Sequence, residues 1–168
     1  MNRLLSAIIA LCYIPMLCAC STSSKINCPF TDLSWEAETD DMIGLEGDGY
    51  ETYESIYKGM TYTYPKEYLG RTGIIKYMYD DSGKLCNVSW SYTGDGAEEI
   101  MEVYKNVVDE MNALHGKSKN DDGVGNYCEI WESDGGTVMA NAVVTNDVTV
   151  MQIAYMSPDV SKSTAGSD

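Results

Sequence analysis

Histidine is nearly missing from the chain. His115 stands alone, which argues against a His-rich metal site and leaves one candidate imidazole base. Basic residues are also scarce: 11 Lys and Arg face 26 Asp and Glu, a formal net charge of −15. That balance argues against nucleic acid as a partner, because phosphate binding depends on counterion release to Lys and Arg. Phenylalanine occurs once, while tyrosine occurs 13 times. No serine sits in a Gly-x-Ser-x-Gly elbow, and no cysteine has a papain-like flank or a Cys-x-x-Cys partner for zinc. The acidic pairs Asp40-Asp41, Asp80-Asp81 and Asp121-Asp122 lack the alternating spacing that wraps a loop around calcium. Asp is useful in such turn and helix-start positions in any case. The expected cofactor and metal content is therefore none.

What is present begins with 168 residues, 44% hydrophobic and 22% charged, enough for one core and not two. The N-terminus reads Met-Asn-Arg followed by an apolar run over residues 4–19. That run is too short for a membrane span of about 20 residues and reads as a secretory signal. It ends Leu17-Cys18-Ala19-Cys20. This resembles the lipobox of bacterial lipoproteins, with Cys18 standing where a smaller residue is commoner. The resemblance implies that residues 1–19 are removed and that Cys20 carries a diacylglycerol thioether, with fatty chains such as palmitate holding the protein in a membrane. The alternative is an ordinary signal peptide that leaves Cys20 as a thiol. With Arg3 removed, 10 basic and 26 acidic residues give 10 − 26 = −16. A body so acidic stands off an anionic bilayer on a tether.

Three cysteines remain beyond position 20. Cys86 and Cys128 lie in strand-like segments and form the candidate disulfide in an oxidising compartment, with Cys28 left over. Equally, both can be small buried apolar residues.

Residues 39–47 read as a short helix with Thr39 as N-cap. Period-two runs follow at 53–57, 61–64, 72–79 and 85–92, with the Asp80-Asp81-Ser82-Gly83 turn between the last two. In the last of these, Cys86, Val88, Trp90 and Tyr92 share one face, and Asn87, Ser89 and Ser91 the other. Ile100, Tyr104, Val107, Val108, Met111 and Leu114 mark one stripe of a long amphipathic helix, capped by Asp95 and closed by Gly116. Strand patterns at 126–132, 137–145 and 148–156 complete the series. The expected fold class is α+β: a single domain with an antiparallel sheet of about six strands, one long amphipathic helix packed across it and a short N-terminal helix. The expected division is a signal peptide over 1–19, lipidated Cys and tether over 20–38, the domain over 39–158 and a flexible tail over 159–168.

The run from Gly73 through Tyr77, Tyr79, Asp80-Asp81-Ser82-Gly83 to Lys84-Leu85, with Glu102-Val103-Tyr104 and Leu114-His115-Gly116, resembles small uncharacterised lipoproteins of anaerobic, largely Gram-positive bacteria. The short early helix is similar to that of envelope lipoproteins of barrel assembly and of β-lactamase-inhibitor-like domains. Such likeness implies a helix-plus-sheet module that contacts other proteins, and it carries over no active residues.

Tyr62 and Tyr64 share one strand face, as do Tyr77 and Tyr79, and Trp90 lies on the following strand. They are the candidate binding surface, since tyrosine combines rigid apolar area with a hydroxyl. Their other role is pairing across the sheet or filling the core. His115 occupies the last turn of the long helix, where it suits the negative dipole end. The expected function is a non-enzymatic, lipid-anchored extracytoplasmic binding or scaffold domain of the cell envelope. Its partners are the membrane, through the lipid on Cys20, and an envelope protein, peptide or glycan, with no nucleic acid. The alternatives are an envelope hydrolase built on two carboxylates and an inhibitor-like protein-binding module.

Overall fold

The computed structural model describes residues 25–120, 127–133 and 135–165. The fold is α+β, built on one fully antiparallel sheet. Helix α1 (Thr39–Glu46) precedes β1 (Glu51–Glu54), β2 (Lys58–Tyr68), β3 (Arg71–Asp80) and β4 (Leu85–Thr93). Helix α2 (Ala97–His115) then crosses to β5 (Lys119–Asn120), β6 (Cys128–Ser133), β7 (Gly136–Val144) and β8 (Thr149–Met156), and α3 (Pro158–Ala165) follows. The strand order is β1-β2-β3-β4-β8-β7-β6-β5. Each half is a helix followed by four strands, and the halves meet where β4 pairs with β8. The sheet has eight strands rather than about six, although β5 is only two residues long.

Local chemistry explains the boundaries. Glu38, not Thr39, is the N-cap of α1, and its backbone N–H is bound by the Asp41 carboxylate at 3.0 Å. Gly96 takes the N-cap position of α2 in place of Asp95, and Glu99 binds the Asp95 N–H at 3.0 Å. The long strand β2 was expected to end near Tyr64. It continues through Pro65 because β1 pairs no further than Thr63, so the proline nitrogen faces no neighbouring strand there. The turn into β3 places Leu69 and Gly70 at φ 51° and 71°, the left-handed pair of a tight hairpin. Leucine is not a residue that announces such a turn.

Alternation buries one face of the sheet. Ile75, Tyr77, Tyr79, Leu85, Val88, Trp90, Met151, Ile153 and Tyr155 form its centre. Helix α2 covers the second half with Ile100, Val103, Tyr104, Val107 and Met111, whereas Leu114 of the expected stripe is exposed. The first half is covered by Met42 of α1 and by the segment before it, where Ile26, Phe30, Leu33, Trp35 and Ala37 are buried. The expected tether over 20–38 is therefore corrected: from Ile26 onward the chain is core. Phe30 sets its ring edge-on to Tyr68 and Tyr155, at 5.4 and 5.7 Å. The expected flexible tail is corrected as well, since its first part is helix α3.

Packing at the centre is close. A side chain at Gly73 would place its Cβ 2.6 Å from the Trp90 ring and 2.4 Å from the Ser91 carbonyl, so only glycine fits. The Tyr77 hydroxyl donates to Glu46 Oε1 at 2.7 Å, and Lys66 reaches the same oxygen at 2.7 Å. Tyr77→Phe removes a hydrogen bond to a charged acceptor and is expected to cost roughly 2 kcal/mol. For a domain of this size that is a fall in Tm of about 4–8 °C, read by thermal unfolding.

Candidate functional site

The tyrosine face is the inner face. Tyr64, Tyr77, Tyr79 and Trp90 are buried, and only Tyr62 is partly accessible. Tyr64 and Tyr77 meet edge-to-face at 6.4 Å, as do Tyr62 and Tyr79 at 5.8 Å, while Trp90 packs against Tyr68 at 5.2 Å. The Trp90 indole N–H donates to the Lys66 carbonyl at 3.0 Å. Burial pushes the phenols of Tyr77 and Tyr79 far above their ordinary value. The proposed binding surface is thus corrected to a core. Period two shows that these residues share a face, but not that α1 and residues 26–37 close over it.

The disulfide expectation is also corrected. Cys86 is a free thiol, raised to about 11 chiefly by burial. Strands β8 and β7 lie between β4, which carries Cys86, and β6, which carries Cys128. Cys128 is level with Asn141, Gln152 and Ser91, five residues from Cys86 along β4. Three strand spacings and five residues amount to roughly 20 Å. A disulfide needs Cα atoms about 4.4–6.8 Å apart. Cys20 and Asp121-Asp122 lie outside the described residues.

The carboxylates have local partners. Asp80 accepts from the Ser82 N–H and hydroxyl and from the Lys84 N–H at 2.6–3.0 Å, which holds its pKa below the ordinary value and closes the hairpin. Glu110 accepts from Tyr68 at 2.8 Å and Glu99 from Tyr92 at 2.8 Å, and Arg71 pairs with Glu99 at 3.1 Å. No group of three metal-ligating side chains converges among the described residues.

His115 lies where expected, in the last turn of α2, but it faces the sheet rather than the terminal carbonyls. Its Nε2 is 3.3 Å from the Tyr155 hydroxyl, and that hydroxyl donates to the Met111 sulfur at 3.0 Å. With the phenol proton directed to sulfur, the phenol oxygen is left to accept from Nε2–H. The pair borders a cleft of about 490 Å³. Lys25, Asn27, Trp35, Gly136 and Thr137 also line it. Trp35 fixes one wall by donating to the Gly135 carbonyl at 2.9 Å. The sequence pointed to His115 but not to Asn27 or Trp35, which a fold-wide contact brings to it.

The other face of the sheet has a different character. One row across it reads Thr63, Lys76, Ser89, Ala154, Met139, Ile130, and the next Pro65, Ile74, Ser91, Gln152, Asn141, Cys128. The outward positions of β3 from Thr72 to Met78, β4 from Asn87 to Thr93, β8 from Val150 to Met156 and β7 from Thr137 to Val143 hold one charge, Lys76. None of them is a carboxylate, in a chain with 26. Glu67, Asp80 and Glu132 sit only at the margins. Ser89 and Asn87 are 1% and 6% exposed, yet Ser89 Oγ and Asn87 Oδ1 have no hydrogen-bond partner, nor does Asn141 Oδ1. Leaving such a group unsatisfied costs about 1–3 kcal/mol. The alternation that makes Asn87, Ser89 and Ser91 a wet face is corrected for Asn87 and Ser89, which are buried; that acids are excluded from the neighbouring strands as well emerges only when register aligns them.

Comparison of the chain with protein-family models, curated proteins and solved structures gives no match.

Two outcomes follow from this geometry. Alkylation of the denatured, unreduced protein should label Cys86 and Cys128 fully; a linked peptide pair would overturn the register argument. Burial lowers the His115 pKa in the folded state, so the unfolded chain binds the extra proton first as pH falls. Stability should be flat above the ordinary His value of about 6.5 and decline below it. His115→Gln should flatten the decline between about pH 7 and 5.5 in urea titrations.

Proposed function

We propose that the chain is a lipid-anchored binding or scaffold domain of the bacterial cell envelope, held outside the cytoplasm by Cys20 and acting through contact. The observation that carries this reading is the acid-free outward face of β3, β4, β8 and β7. Protein interfaces differ from the remaining surface chiefly in having few charged residues at their centre, with methionine enriched. Met78, Met139 and Met156 lie on this face beside small polar residues. A strongly acidic domain that keeps these outward strand positions free of carboxylates has the charge distribution of a docking module. Residues 1–20 support the location, through the charged start, the apolar run and the lipobox-like cysteine. Among the described residues no helix is long and apolar enough to cross a membrane.

Of the alternatives, the inhibitor-like module agrees with the same observation, since it too acts by contact with a folded protein. Hydrolysis by paired carboxylates is less favoured. Glu46, Glu99 and Glu110, the acids nearest the core, are engaged by tyrosine hydroxyls.

The anchor is tested by growing cells with a labelled fatty acid. The wild-type chain should take up label and partition with membranes, whereas Cys20→Ser should lose both. Equal membrane retention of the unlabelled variant would overturn the lipid anchor.

A further inference from the structure

Independently of the acid-free outward face, we propose that the free edge of β1 binds an extended polypeptide segment rich in lysine or arginine, which joins the sheet as a further strand. The backbone selects the class of ligand. β1 is the terminal strand, and all of its residues are exposed. At the turn that follows, the Ser55 N–H donates to the Gly59 carbonyl at 2.8 Å. Alternation along the ladder then turns the backbone groups of Tyr53 and Glu51 toward Thr61 and Thr63. The N–H and C=O of Thr52 and Glu54 are left pointing away from β2, at the spacing an extended peptide matches. Side chains continue the site. Tyr50 and Met60 flank the strand on its inner face and Tyr53 on the other, all 36–48% exposed, and Ile56 at the turn is 83% exposed. Apolar area at an edge favours pairing, and β1 has neither the proline nor the lysine that commonly blunts one. Charge selects the partner. The carboxylates of Glu51, Glu54 and Asp81 have no ion-pair partner among the described residues. Glu54 and Asp81 border a recess of about 520 Å³ beside Met60, Tyr62 and Tyr79, where Lys58 is the one basic residue among the described lining. A long basic side chain on the added strand enters that recess past Glu54. A second copy does not suit this edge, because pairing two β1 strands crowds Glu51 and Glu54 against the same carboxylates.

The test uses the full-length chain in uncharged detergent with a short fluorescent peptide of alternating Lys and Val, and its Glu and Val counterpart as control. The expected result is saturable binding of the lysine peptide, with the glutamate peptide weaker by about tenfold or more. Amide exchange read by NMR reports the geometry. The Thr52 and Glu54 N–H groups lack a strand partner in the free chain, so saturating lysine peptide should slow their exchange by about tenfold or more. The double variant Glu51→Gln/Glu54→Gln, at exposed positions and checked by circular dichroism, should weaken binding roughly threefold or more. Absence of binding overturns the proposal. So does binding that leaves exchange at Thr52 and Glu54 unchanged, which would be charge attraction without strand addition. Equal affinity for the two peptides, or of the double variant and wild type for the lysine peptide, overturns it as well.

Discussion

The layers of this protein are joined across its interior by phenol hydroxyls. Tyr77 rises from the sheet to Glu46 at the end of α1 and to Thr31 of the leading segment, and Tyr64 reaches the Gly47 carbonyl. On the other side Tyr68 and Tyr92 reach Glu110 and Glu99 of α2. A phenylalanine in any of these places would bury similar apolar area but remove a hydrogen bond between the layers. The composition, with tyrosine filling the place of phenylalanine, follows from this constraint: the sheet is covered by acidic helices whose inner edges must be satisfied.

That arrangement also distributes the charge. Carboxylates are placed where phenols, caps and turns receive them, on the helices and at hairpins. Across β3 to β7 through β4 and β8, the reverse face is left nearly neutral away from its margins, with Lys76 as its one ion. The two faces are thus chemically unlike although each strand supplies residues to both alternately. The inner face is one of aromatic rings closed by helices, and the outer face one of Ser, Asn, Thr and Met.

Much of the fold was legible in the residues. The strands, the long helix and the face shared by Val88, Trp90 and Tyr92 follow from periods of 2 and 3.6, which are local properties. The Leu69-Gly70 turn was hidden because its first residue is a leucine, and the true extent of β2 because Pro65 breaks the pattern. The segment from Ile26 to Ala37 has no period at all. Only its packing beneath α1, with Phe30 against Tyr68 and Tyr155, shows it to be core.

Alternation by itself determined which residues travel together, since side chains on one strand face cannot be separated without breaking the strand. Composition alone determined the acidic balance. The tertiary structure decided which of the two faces is closed, how far apart Cys86 and Cys128 stand, and that Asn27, Trp35 and His115 border one cleft. These depend on which strand lies next to which, and β4 finds β8 rather than β6 through contacts some sixty residues apart, set by pairing energies that no single segment contains.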